Sequence, residues 1–250
     1  MEHRICTLAA CPELRGEVDR VHEATWPRFV LEGHSPDGTL ERWYPLLDQF
    51  AEYQLVLTDA RGDLIAAGHT IPLRWDETVE GLPEGWGGTV VQGFRGREEA
   101  IAPNTLVALG IAVHPTRRGQ GVATQMLLAM KSLAVEHELN SLIAPVRPNW
   151  KERYPLTAMQ RYVQWTRADG SPFDPWIRSH WKIGARPLAV AERSMIVMGS
   201  VSEWESWTGL TLPDSGQYTI PGALVPIQVD RENDWVCYEE PNYWMKHPLP

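Results

Sequence analysis

Two periodicities of apolar residues organise the chain. Residues 106–113 form a nearly unbroken apolar run, the pattern of a strand buried on both faces. Immediately downstream Val122, Met126, Met130, Leu133 and Ala134 recur at helical spacing, with Gln125, Lys131, Glu136 and Glu138 among them, which predicts an amphipathic helix. Upstream, residues 17–30 read as helix through Val18, Val21, Trp26 and Phe29, interrupted by Pro27, and a second short helix is predicted over 40–50. The turn-rich residues 33–38 separate them. Apolar runs at 53–58 and 64–73 flank Asp59-Ala-Arg-Gly-Asp63 and predict a hairpin.

The second half is punctuated in the same way. Residues 142–146 predict a strand in which Pro145 cannot donate to a ladder, a fit for a strand end, a bulge or a place without a partner. Asp174 as cap, Pro175 at the first helical position and Gly184 as left-handed terminator delimit a compact helix. A strand is predicted at 193–198, and Ser200-Val-Ser-Glu203 fits a capping box that opens a short helix carrying Trp204 and Trp207 and ending near Gly209. Residues 223–229 and 235–238 flank Asp230-Arg-Glu-Asn-Asp234 as a closing hairpin. Two stretches lack a clear period: 75–104, rich in Gly, Glu and Pro, and 148–173, which mixes aromatics with charge. Loops of that length are functional covers or surface elaborations, and some of 148–173 reads as a helix.

The chemistry concentrates where the buried strand meets the long helix. Gly119 and Gly121 let the backbone turn sharply, so that the free N–H groups of the first helical turn can face an anion, and Arg117 and Arg118 add positive charge at the mouth. A dinucleotide-binding turn needs a third glycine where Thr124 stands, and a Walker A loop needs Gly-Lys-Ser/Thr, which is absent. Arg118-Gly-Gln-Gly-Val-Ala123, preceded by Val113-His-Pro115, resembles the R/Q-x-x-G-x-G/A signature and V-x-P strand end of the GNAT acyltransferase superfamily.

That resemblance implies an α/β fold with a mixed, twisted sheet of GNAT topology. Against it the chain reads as one domain over 1–250, with a core of about 1–199, insertions at 75–104 and 148–173, and a C-terminal extension at 200–250 that completes or flanks the sheet. It also implies a site for acetyl-CoA or another acyl-CoA as cosubstrate. Arg118, Gly119, Gln120, Gly121, Val122, Ala123 and Thr124 would cradle the pyrophosphate, and Ile111, Ala112 and Val113 would align the pantetheine arm. In the family the strand after the phosphate helix splays from its neighbour, and Pro145 suits such a strand. His180, in His180-Trp-Lys-Ile-Gly-Ala185, stands where many members carry a tyrosine that protonates the departing thiolate. An imidazolium that titrates near neutrality could serve as that acid, and Tyr154 or Tyr162 could substitute. The strand at 106–113 lacks the glutamate that many members use as base, which leaves His69 and His114 as candidates by location only.

Composition narrows the setting. A net charge of −9 argues against broad nucleic-acid binding and requires the anion site to be locally basic. No apolar run approaches the ~20 residues of a membrane span, and Met-Glu-His-Arg-Ile-Cys lacks a secretory h-region, so the expectation is a cytoplasmic protein without a membrane partner. Cys6, Cys11 and Cys237 form no C-x-x-C pair and suggest neither a disulfide framework nor a metal; they read as thiols. Twelve tryptophans, among them Trp150, Trp165, Trp176 and Trp181 near the implied site, would suit a bulky acceptor or ordinary packing. The function implied is N-acyl transfer, acetyl first, from acyl-CoA to the amine of a small molecule by direct attack. Carrier-protein acyl transfer, thioester decarboxylation and a non-catalytic acyl-CoA module are the alternatives, and a homodimer stays open.

Overall fold

The computed structural model describes residues 3–249. Among them nine strands form one sheet: β1 (Arg4–Thr7), β2 (Gln54–Thr58), β3 (Leu64–Leu73), β4 (Thr105–Val113), β5 (Ser141–Val146), β6 (Arg186–Gly199), β7 (Gly216–Tyr218), β8 (Ile227–Asp230) and β9 (Trp235–His247). Their spatial order is β1-β2-β3-β4-β5-β9-β8-β7, with β6 also paired to β9. Every pairing is antiparallel except β4 with β5, whose residues are joined by α5 (Val122–Glu136), the crossover helix that a parallel pair requires. That parallel pairing runs only from Thr105/Ser141 to Val107/Ile143, while β5 continues against β9 as far as Val146/Tyr243. The central strands therefore diverge after Ile143, just ahead of Pro145, and a cleft opens between them.

Side chains alternate faces along each strand and divide the core into two layers. Val56, Val107, Ile143 and Trp244 face α1 (Arg15–Glu23), α3 (Trp43–Gln49) and α4 (Gly85–Glu98). Leu55, Leu106, Leu142 and Met245 face α5 and Ile177 of α7 (Pro175–Lys182). A third cluster joins Phe29 of α2 (Arg28–Glu32) to Trp204 of α8 (Val201–Thr208) and to Val197, Ile227, Val236 and Tyr238. The helix expected over 17–30 is broken as Pro27 requires, and Thr25, Trp26 and Pro27 form the break between α1 and α2. No helix among the described residues is long and apolar enough to cross a membrane.

Several expectations are corrected. The stretch 75–104 is not a loop throughout, since α4 occupies fourteen of its residues. Its glycines hide it from propensity arguments but permit its packing: a Cβ at Gly93 would lie 2.2 Å from Ile71 Cδ1, so the helix sits closer to β3 than any side chain would allow. The final strand does not end at Tyr238; β9 runs on to His247, and Pro241 is accommodated where the β6–β9 register shifts between Ala191 and Met195. Cys6 and Cys11 are joined as a disulfide, because the turn after β1 carries Cys11 N–H onto Thr7 O (3.0 Å) and brings the two Cα atoms to 6.6 Å; Cys237 stays a free, half-buried thiol. In 148–173 a short helix, α6 (Met159–Tyr162), buries Met159 and Tyr162 against Leu224, and buried Lys151 Nζ donates to Leu224 O (2.6 Å) and Tyr154 O (2.9 Å). That segment is anchored to the C-terminal residues.

Candidate active site

The divergence of β4 and β5 opens a cavity of about 790 Å³. Ala108, Leu109, Gly110 and Ile111 line one side, and Ala144, Pro145, Val146 and Arg147 the other. Beyond Val107 the β4 backbone has no strand on that side, so its edge is free to pair with an extended ligand. At one end stand Arg117, Arg118, Gly119, Gly121, Val122, Ala123 and Thr124. Gly119 (φ +76°) and Gly121 (φ +79°) are left-handed, and a Cβ at either would meet nothing within 4 Å, so glycine is required by backbone conformation rather than by space. Gly121 caps α5 without a side-chain acceptor, which leaves the first-turn amides of a fifteen-residue helix directed at the cavity end. Arg117 is held by Asp59 (2.8 Å), whereas Arg118 is exposed at the mouth.

α7 forms the wall beside the diverging strands. Asp174 fixes it, accepting from Trp176 N–H (2.8 Å) and Ile177 N–H (3.1 Å) as cap and also from Trp150 N–H and Tyr162 OH, both 2.8 Å. His180, 2% exposed, lines the cavity with Trp176 and Ser179 as neighbours. Its Nδ1 lies 2.9 Å from His247 Nε2 on β9, and its Nε2 has no partner among the described residues. Desolvation, then the neighbouring His247, holds His180 well below the usual histidine range; desolvation also lowers His247, to about 4.

The acetyltransferase (GNAT) family profile matches residues 18–153. The arginine N-acetyltransferase avaD of Aspergillus versicolor is 30% identical over 275 aligned positions, which cover 97% of this chain and 93% of that protein. The chain belongs to the GNAT acetyltransferase family. The same fold is seen in the loading GNATL domain of CurA from Lyngbya majuscula (TM-score 0.62, 12% identity, 99% of this chain and 98% of that one). It is seen again in the GphF GNAT-like decarboxylase in complex with isobutyryl-CoA (TM-score 0.58, 15% identity, the whole of both chains).

In this GNAT enzyme the residues expected from the sequence are not all brought together. Ala112 turns into the core, as strand alternation demands, and Gln120 folds back to donate to Thr116 O (3.2 Å); neither lines the cavity, whereas Ile111, Val113 and the rest of the expected loop do. His180 is on the wall but buried and neutral, so the expected imidazolium is not available. Tyr162 OH is spent on Asp174, with burial and that carboxylate raising it above the usual phenol range, and Tyr154 packs on Trp165; neither faces the cavity. His69 is wholly buried and donates from Nδ1 to Gln54 Oε1 (3.1 Å), since Gln54 Nε2 is itself a donor to Phe50 O and Thr70 O. Its Nε2 then accepts from His22 Nε2 (2.8 Å), and both rings are kept neutral by desolvation, His22 down to about 3. His114 Nδ1 is occupied by Thr116 Oγ1 (2.8 Å). None of these is placed as a base.

The end of the cavity remote from α5 was not foreseen. Trp26, Trp43 and Trp86 wall it, Trp26 and Trp43 with ring centroids 5.4 Å apart and Trp43 and Trp86 5.7 Å apart, together with Arg147, Glu240 and Asn242. Glu240, 2% exposed, accepts from Arg147 Nε (2.8 Å), Tyr238 OH (2.7 Å) and Asn242 Nδ2 (3.0 Å). This carboxylate holds Arg147 above even the usual guanidinium range despite desolvation. The signal lay in β9: Val236, Tyr238, Glu240, Asn242 and Trp244 alternate on one face, and a carboxylate in such a series marks a buried, partnered charge.

Proposed function

We propose that this enzyme moves an acetyl group from acetyl-CoA to the amine of a small amino-acid-like acceptor by direct attack. One observation carries the reading: the cleft between β4 and β5 runs from the uncapped amides of α5 to an aromatic-walled end, with no cysteine among the described residues of its wall. A thioester held in it would face the acceptor without a covalent way-station. The acceptor class is supported by the arginine-acetylating relative.

The group acetyl-CoA would supply is an activated carbonyl. Amides of residues 119–124 would bind the pyrophosphate and Arg118 would screen it. The free edge of β4 would align the pantetheine arm, placing the carbonyl carbon against a neutral amine for attack. The His180–His247 contact is compatible with a proton on His180 Nε2, and in that tautomer a neutral N–H stabilises the sulfur as the C–S bond breaks. The amine proton leaves to water, and the thiolate takes its own from solvent.

The test is turnover of acetyl-CoA with arginine, followed by free-thiol release and by the mass of the acceptor. One acetyl gained per thiol released is expected, and Arg118→Glu should weaken coenzyme A binding about 10–100-fold. Thiol release without an acetylated acceptor, or none at all across a panel of amino acids, would overturn the reading.

A further inference from the structure

The aromatic end of the cavity carries a guanidinium, Arg147, paired with the Glu240 carboxylate. Glu240 is sealed from water and accepts from three groups, two on Oε2 and one on Oε1, which leaves one lone pair on Oε1 unused. Both line the cavity, and Arg147 is the more exposed of the pair, with a third of its side chain accessible against 2% for Glu240. Arg147 Nε is used by Glu240 and Nη2 by Gly222 O, which leaves Nη1 without a protein partner among the described residues. Gly222 in turn abuts the break between α1 and α2, a Cβ there lying 3.2 Å from Pro27 Cγ. Arg147 and residues 25–27 are thus two sides of one corner.

Two further groups on this wall are sealed from water and unpartnered among the described residues: Thr25 Oγ1 and Trp43 Nε1. The indole N–H is a donor only, and its side chain is buried. Buried polar atoms without partners weaken a fold and are rare, so two on the wall of the same cavity as a guanidinium with a free edge point to an oxygen-bearing anionic ligand that satisfies them. Glu152, also on the wall, is exposed, and solvent screens it.

We infer that this corner binds the carboxylate of an α-amino-acid acceptor, through Arg147 Nη1, Thr25 Oγ1 and Trp43 Nε1. The inference deepens the proposed function and rests on it for the word acceptor, but not for binding. Fixing the carboxylate orients the rest of the molecule in the tryptophan-walled end and rejects simple amines, because an amine without a carboxylate leaves three donors unmet.

The experiment pairs arginine with agmatine, and lysine with cadaverine, which differ by the carboxylate alone. Acceptor kcat/KM is measured with saturating acetyl-CoA, and acceptor affinity by calorimetry on the protein loaded with free coenzyme A. The wild-type protein should favour the carboxylate-bearing member of a pair at least tenfold in both measurements. Thr25→Val should raise its KM and leave the amine unaffected, while melting no lower than wild type, since the hydroxyl it removes has no partner. Arg147→Gln should bring the ratio towards one, with stabilisation by coenzyme A retained as the check that the cleft is folded. Equal handling of both members by the wild type, or an equal loss for both in Thr25→Val, overturns the inference. Carboxylate-selective binding without turnover would uphold the corner and sink the proposed function instead. No binding of either pair would sink the corner, whatever the turnover with other amines.

Discussion

His180 illustrates how burial changes the chemistry available to a side chain. An exposed imidazole would titrate close to neutral pH, yet this one is desolvated and faces a second histidine, so it stays neutral and can act only as a hydrogen-bond donor or acceptor. Its unpartnered Nε2 is the atom a developing thiolate would use. His180→Gln should lower kcat about 100-fold, the usual cost of losing one donor to developing charge, with little change in coenzyme A affinity. The pH profile separates the two roles: an imidazolium acid would lose activity as pH rises through its own titration, whereas a neutral donor gives no such falling limb. A kcat that declines between pH 6 and 8 in the wild type but not in His180→Gln would contradict the neutral reading.

Elements matter here through what fixes them. α7 has eight residues, too few to persist by propensity, and its position comes from Asp174, whose carboxylate joins the helix start to Trp150 N–H and Tyr162 OH. The segment 148–173 is thereby bound to the helix that carries His180. Asp174→Ala removes the cap and strands a buried tyrosine hydroxyl, which should cost about 3 kcal/mol, or roughly 6–12 °C in Tm. It should also lower kcat more than it raises the KM for acetyl-CoA, because α5 is untouched. A variant with wild-type kcat would show that α7 is positioned by its apolar contacts alone. α4 makes the complementary point: five glycines give it poor intrinsic helicity, and its contacts with β3 and β6 hold it together.

At the scale of the whole molecule, two histidine pairs join helices to the sheet, His22 of α1 with His69 of β3 and His180 of α7 with His247 of β9. All four are held below the ordinary value, His22 at about 3 and His247 at about 4. The unfolded chain binds protons on them at about pH 6.5, whereas the folded protein does not until far lower. Folding is therefore undiminished above that pH and loses stability as pH falls below it, by up to about 1.4 kcal/mol per pH unit for each histidine. Thermal melts from pH 7 to 5 should show Tm falling, with a shallower fall in His22→Phe. A Tm that holds constant over that range would mean that the pairs are charged in the folded state.

Local pattern and backbone chemistry made much of this protein legible before folding. The hairpin at β2 and β3, the strand–glycine turn–helix unit at 105–136, the Asp174 cap, the Ser200–Glu203 capping box and the break at Pro27 follow from rules spanning a few residues, and the structure contains each of them. The loop at 118–124 was readable for the same reason, because left-handed glycines and uncapped amides are local properties. What the chain did not reveal depends on distant partners. α4 is stabilised by a close approach to Ile71 that only glycine permits, β9 continues through Pro241 because a bulge lies beside it, and Cys6 meets Cys11 because of a turn. The neutrality of His180 comes from burial beside His247, sixty-seven residues away, and the Arg147–Glu240 corner joins the residue after β5 to the middle of β9, ninety-three residues on. Period and capping are properties of neighbouring residues, whereas desolvation and charge pairing depend on which distant groups the finished sheet brings together.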